Sequence, residues 1–178
     1  VISLAIGRID TEEIDMGLSG TALKLHSRYT RDEILASFGV HTFEKKYSSR
    51  EGVLFIKEIN TELLFVTLNK SDNRFSPTTR YHDYAISENL FHWQSQNSAR
   101  PDKGKGLSYV SHKTIEKTII LFVREQSNDE YGRAMGFVNL GVVGLQGNYG
   151  SQPMNITWKL ENPLPSFLWK EAAKLAAG

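Results

Sequence analysis

The sequence predicts an α+β domain built on a strongly curved, mostly antiparallel sheet or open β-barrel with flanking helices. Three observations carry that prediction. About seven short runs rich in β-branched and aromatic residues punctuate the chain, most of them bounded by turn residues. One run, from Phe137 to Leu145, is interrupted by Gly141 and Gly144, the pattern of a strand that bends or bulges. Helical signals occur in two places, one towards each end, so helices flank the strands and do not alternate with them.

Residues 1–22 are short apolar pieces broken by acidic residues and by Gly17 and Gly20, and read as a leading segment from a preceding domain. Residues 23–178 read as one domain. Thr30 and Glu33 form a capping box, Ile34, Leu35 and Phe38 an apolar stripe, and Gly39 a stop. Arg28 and Arg31 flank this helix start, where orphan N–H groups could also hold a phosphate. Val53–Ile59 and Leu63–Leu68 are strands joined at Asn60-Thr61. A polar loop, Asn69–Asn73, leads to the runs Phe75–Ile86 and Phe91–Gln96, joined as a hairpin through Ser87-Glu88-Asn89-Leu90. Residues 97–113 hold Arg100, Lys103, Gly104, Lys105 and Gly106 with few apolar residues, and read as a long mobile loop. Thr118–Arg124 is apolar enough at its centre for burial on both faces, and Met154–Leu160 alternates cleanly. Pro163 and Pro165 then end the sheet and introduce a short helix around Phe167 to Leu175.

Composition bounds the function. At 178 residues, with 40% hydrophobic and 23% charged content, the chain has the make-up of a soluble globular domain, and a cytoplasmic setting is expected. No window approaches the roughly 20 apolar residues of a membrane span. The absence of cysteine excludes disulfides and thiolate metal sites. The net charge of +1 is unevenly spread: residues 21–113 carry 14 Lys/Arg against 10 Asp/Glu, which permits a polyanion partner without requiring one.

The most site-like stretch is the hairpin. A tight turn sets Tyr84 opposite Trp93, His82 opposite Ser95 and Ile86 opposite Phe91 on one face. Tyr81, Asp83, His92, Gln94 and Gln96 then occupy the other. A base taken out of a duplex needs flat apolar walls and a few hydrogen-bonding groups along its edge. Tyr81, Tyr84 and Trp93 could supply walls, Asp83 could accept from a cytosine amino group, and Gln94 or Gln96 could donate and accept. Lys70, Ser71, Thr78, Thr79, Arg80 and His82 could hold flanking phosphates, together with Arg28 and Arg31. The bland alternative makes Tyr84 and Trp93 core residues and Asp83 a turn cap. Catalytic patterns are missing from the sequence: there is no HExxH, no G-x-S-x-G elbow and no P-loop around Gly104-Lys105-Gly106. His82 and His92 fall on opposite faces in this register, so neither a metal site nor a cofactor is expected.

The runs Leu25–Ile34, Phe65–Ser71, Phe75–Ile86 with Phe91–Gln96, Leu121–Glu125 and Met154–Leu160 resemble, in this order, the C-terminal domain of a bacterial helicase family. Its members couple a phospholipase-D-type nuclease and a superfamily-two helicase motor to this domain, as in SauUSI-type type IV restriction enzymes. The resemblance implies a target-recognition domain that senses 5-methyl- or 5-hydroxymethylcytosine, with a fold similar to the base-flipping SRA domains. The partners it implies are double-stranded DNA carrying the modified base and the helicase and nuclease domains of a longer chain. A homodimer is a further candidate, and no membrane partner is expected. Since no Walker or HKD motif occurs, this chain alone should be non-catalytic. The near-neutral charge suits a second reading, a protein-interaction or dimerisation module docking on the helicase-nuclease.

Overall fold

The computed structural model describes residues 21–45, 47–48, 51–69 and 83–170. Among these, eight strands form one sheet: β1 (Arg28–Tyr29), β2 (Val53–Ile56), β3 (Thr61–Asn69), β4 (Tyr84–Ser87), β5 (Leu90–Gln94), β6 (Thr118–Gln126), β7 (Phe137–Tyr149) and β8 (Asn155–Leu160). The helices are α1 (Arg31–Ser37) and α2 (Gly104–Val110), with helical residues again at 166–170. The strand order is β2-β3-β6-β7-β8-β5-β4, with β1 paired to β7. Every pairing is antiparallel except β3 with β6. A parallel pair needs a long crossover, and the chain between β3 and β6 supplies one that contains β4, β5 and α2.

Period-two alternation along β3 and β6 sends neighbouring side chains to two cores. Leu64, Val66 and Leu68 join Ile119, Leu121 and Val123 in the first. Leu63 and Phe65 join Ile120 and Phe122 in the second, which Tyr29 and the α1 residues Ile34 and Leu35 cover. This explains why Ile119–Val123 are buried on both faces. The first core also holds Val53 of β2 and Ala85, Phe91 and Trp93 of β4 and β5, which lie at opposite ends of the strand order. The sheet therefore curls until its two edges share one core, while β2 and β4 stay unpaired to each other. This is the curved, mostly antiparallel α+β architecture expected.

The bend has an identifiable seat. The β6–β7 register shifts between Leu121 and Phe122, where Gly141 has φ +78. A Cβ on Gly141 would lie 2.9 Å from a Leu25 methyl, so glycine serves both the turn and the close approach. β7 then runs on to Tyr149, past the expected end at Leu145. Thr30 caps α1 in a full capping box with Glu33. β2 ends at Ile56, and Lys57–Ile59 form a 3-10 turn closed by Asn60 at φ 46, so the β2–β3 connection is longer than expected.

The expected loop at 97–113 is a correction, for it contains α2. Its main anchor is Tyr109, which is fully buried, packs edge-on against Trp93 at 5.4 Å, and donates its hydroxyl to Gln96 Oε1 at 3.1 Å. Gly106 permits the docking, since a Cβ there would come within 2.0 Å of the Arg100 carbonyl oxygen. Sparse apolar content concealed the helix because a single aromatic anchors it.

His112, just beyond α2, packs against Trp158 at 5.9 Å. Its Nδ1 faces the Lys117 carbonyl at 3.2 Å, and its Nε2 accepts the Leu145 N–H at 3.0 Å, an arrangement that requires a neutral ring. Burial holds its pKa below the ordinary imidazole value. A depressed folded-state value means the folded protein binds fewer protons. The stabilisation is therefore complete above pH of about 6.5 and is lost as pH falls through the lower folded value. His26, also lowered by burial, acts in the same direction. The melting temperature is expected to fall between neutral pH and pH of about 5, and to fall less in His112→Gln. Identical slopes for protein and variant would remove His112 from the account.

Candidate functional site

The curl of the sheet leaves a cavity of about 570 Å3 between its two edges, within the roughly 300–1,000 Å3 usual for ligand sites. Asp83 and the run Trp93–Gln96 form one wall. Val53 of β2 and Phe65, Val66 and Thr67 of β3 form the other. Arg124 and Phe137, at the facing ends of β6 and β7, and Arg31 of α1 complete it.

The hairpin register decides which side chains reach this space. Ser87 pairs with Leu90 around the turn expected from the sequence. Ile86 is then extruded as a bulge, 46% exposed, so the strands continue with Ala85 opposite Phe91 and Tyr84 opposite His92. The expected pairings of Tyr84 with Trp93 and Ile86 with Phe91 are corrected by one residue, and a one-residue slip exchanges the faces. Tyr84 stacks on His92 at 4.7 Å, with Tyr149 beyond at 6.4 Å, and does not line the cavity. Asp83, expected on the face away from Trp93, lines the cavity together with it.

Trp93 is both wall and core, only 5% exposed and in contact with Tyr109 and Trp158. Asp83 is buried, and its Oδ1 accepts the Gln94 N–H at 2.9 Å, which orients the carboxylate. Gln94 Nε2 lies 3.5 Å from Asn155 Oδ1, a long contact, while Gln96 Oε1 is taken by Tyr109. Ser95 Oγ accepts the Met154 N–H at 2.9 Å and donates to the Gln96 carbonyl, so it ties the wall to β8. Tyr81, Lys70, Ser71, Thr78, Thr79, Arg80 and His82 lie outside the described residues.

The two arginines beside α1 differ. Arg28 forms a two-pronged ion pair with Glu125 at 2.8 Å, donates to the Gly136 carbonyl, and does not line the cavity. Burial, the largest single influence, would raise the Glu125 carboxyl, but the Arg28 hydrogen bond, a backbone hydrogen bond and the Arg28 charge together outweigh it and hold the group below its usual range. Arg28 thus ties β1 to β6 and to the β6–β7 connection. Arg31 lines the cavity, with its guanidinium 4.2 Å over the Phe65 ring and one amino group donating to the Glu51 carbonyl. Arg124, which sequence reasoning passed over, lies 4.5 Å over the Phe137 ring. Burial lowers the pKa of both, and the charge of Arg31 lowers Arg124 further. A charge ending the otherwise apolar run Ile119–Val123 was the available signal for Arg124. Phe65 and Phe137 carried none beyond that of strand residues.

Among the described residues, no cluster of three or more His, Asp or Glu is placed to hold a metal ion. No helix among them is long and apolar enough to cross a membrane.

A family model described as a domain of unknown function, DUF3427, matches residues 23–172. No curated protein matches the chain. Among solved structures, the chain is similar to the crystal structure of Arabidopsis thaliana SUVH6 in complex with SAM, with a TM-score of 0.49 and 11% identity. That likeness covers 97% of this chain and 33% of the other, so the chain spans about a third of that protein's length.

Proposed function

We propose that this chain, which belongs to the DUF3427 family, is a DNA-recognition module that takes up a 5-methyl- or 5-hydroxymethylcytosine extruded from the duplex. The observation that supports this reading best is the composition of the cavity. Trp93, Val53 and Val66 offer flat and apolar surface for a ring and its 5-substituent. Asp83 offers a buried, oriented carboxylate, an acceptor suited to the cytosine amino group. The Gln94 amide lies beside it in the same wall. An extruded base is read by this combination of stacking surface and edge contacts.

The module is non-catalytic alone and serves an ATP-dependent, modification-dependent restriction enzyme whose helicase and nuclease lie in other domains. The sequence resemblance to SauUSI-type proteins supports this wider role. With Mg²⁺, ATP and DNA supplied, the purified chain should give neither nucleotide hydrolysis nor strand cleavage, and turnover that co-purifies with it would end the reading.

The direct test is titration of matched methylated and unmethylated duplexes at fixed salt. The methylated duplex should bind more tightly, and equal affinities would overturn the proposal. Replacing both Lys70 and Arg80 with Ala should weaken binding to all sequences about equally. Each lost phosphate contact should lower the slope of log affinity against log salt by about 0.9. An unchanged slope would move the phosphate path elsewhere on the protein.

A further inference from the structure

We propose that Arg31 and Arg124 form an oxyanion subsite within the cavity, built to take a phosphate group of the bound nucleotide. That the ligand is a nucleotide rests on the reading above; the anion subsite rests on the arginines themselves.

Neither guanidinium is paired with a carboxylate among the described residues. Arg31 donates to the Glu51 carbonyl at 2.8 Å, and its Nε is buried with no acceptor. Asp32 and Glu51 act on it only through space. Arg124 donates from Nε to Thr67 Oγ1 at 2.9 Å, and from one amino group to the Ser127 and Met135 carbonyls at 3.2 Å. Arg28, in the same region, has its own carboxylate partner in Glu125.

The two positive groups are also held together. Each lies on a phenylalanine ring, and the rings of Phe65 and Phe137 meet edge to face at 5.3 Å. Their mutual repulsion is felt at Arg124. Two like charges, half-buried and each without a carboxylate in contact among the described residues, are unfavourable unless a ligand completes the arrangement; Asp32 and Glu51 offset the charge of Arg31 only through space. A guanidinium's fixed fork of donors fits the oxygens of a phosphate. A cavity of about 570 Å3 is far larger than a lone anion, so the phosphate belongs to a larger molecule. It could be the phosphodiester beside an extruded nucleotide or the phosphate of a free nucleotide.

The test follows the arginine Nε–H resonances of isotope-labelled full chain during titration with inorganic phosphate, 5-methyl-dCMP and a methylated duplex. Phosphate should shift Arg31 and Arg124 while leaving Arg28 in place. A charge-assisted contact of the usual strength should make 5-methyl-dCMP bind about 10-fold more tightly than 5-methyldeoxycytidine. Arg31→Gln should abolish that difference. Arg31 is the better choice for substitution because Arg124 also holds two backbone carbonyls. A shift with the duplex assigns the subsite to the phosphodiester, and a shift with the mononucleotide alone assigns it to free nucleotides. If phosphate moves neither resonance and the nucleotide binds no better than the nucleoside, the subsite is overturned even where methylated DNA is preferred. If both respond and no duplex preference exists, the subsite stands and the base-reading role falls.

Discussion

Lys117→Met is expected to destabilise the protein by about 3–5 kcal/mol, the usual consequence of leaving a buried charge without its partner. Glu62 is fully buried on β3, and its Oε2 receives the Lys117 ammonium at 2.7 Å. The same ammonium donates to Ser108 Oγ on α2 at 3.1 Å and lies 4.2 Å over the Phe55 ring. One cation thus joins β2, β3, α2 and the start of β6. Methionine keeps most of the stem, so the change isolates the charge from the packing. Adding Glu62→Gln removes the stranded carboxylate and should recover much of the loss, because the greater part of the penalty is the uncompensated charge. Urea unfolding of both single variants and the double variant measures this. A Lys117→Met variant within about 0.5 kcal/mol of the original would show that Glu62 does not depend on the pair. The effect should reach the cavity, since α2 carries Tyr109, which supports Gln96 and Trp93.

Asp83→Asn should narrow the gap between specific and non-specific DNA affinity by about 1–3 kcal/mol, the worth of a good base-edge contact. Asparagine retains an Oδ1 that can accept the Gln94 N–H, so the end of the hairpin is expected to stay in place. What changes is the charge, and one carboxylate oxygen becomes an amide donor, which the cytosine amino group of the proposed complex would meet in place of an acceptor. Non-specific binding, carried by phosphate contacts, should be unaffected. Part of the modified-base preference should persist through apolar contact of the 5-substituent with the Trp93 side of the cavity. Titrations of matched duplexes at one salt concentration, run beside thermal melts, separate the outcomes. An unaltered preference with an unaltered melt would take Asp83 out of the recognition chemistry. A collapsed melt would make it a structural residue of the hairpin.

The local elements were legible because local physics sets them. The α1 capping box, the apolar centre of β6, the alternation of β8 and the glycine-bent β7 follow from side-chain period and backbone freedom within a few residues. The hairpin turn was legible for the same reason, but its register was not. A single extruded residue, Ile86, exchanges the faces of everything before it, and that bulge is chosen by how β5 packs between β4 and β8. Trp93 and Asp83 came out of the sequence as candidates for opposite faces, and the fold sets them around one cavity. α2 was hidden because its main anchor is a single buried tyrosine in a stretch with few apolar residues. The arginine pair was hidden because Arg31 and Arg124 are far apart in the chain and meet only through Phe65 and Phe137. The sequence by itself determined which side chains are available and where the chain bends or turns. Which of them share a cavity was decided by the curling of the sheet, a non-local event in which β2 and β5 supply opposite walls.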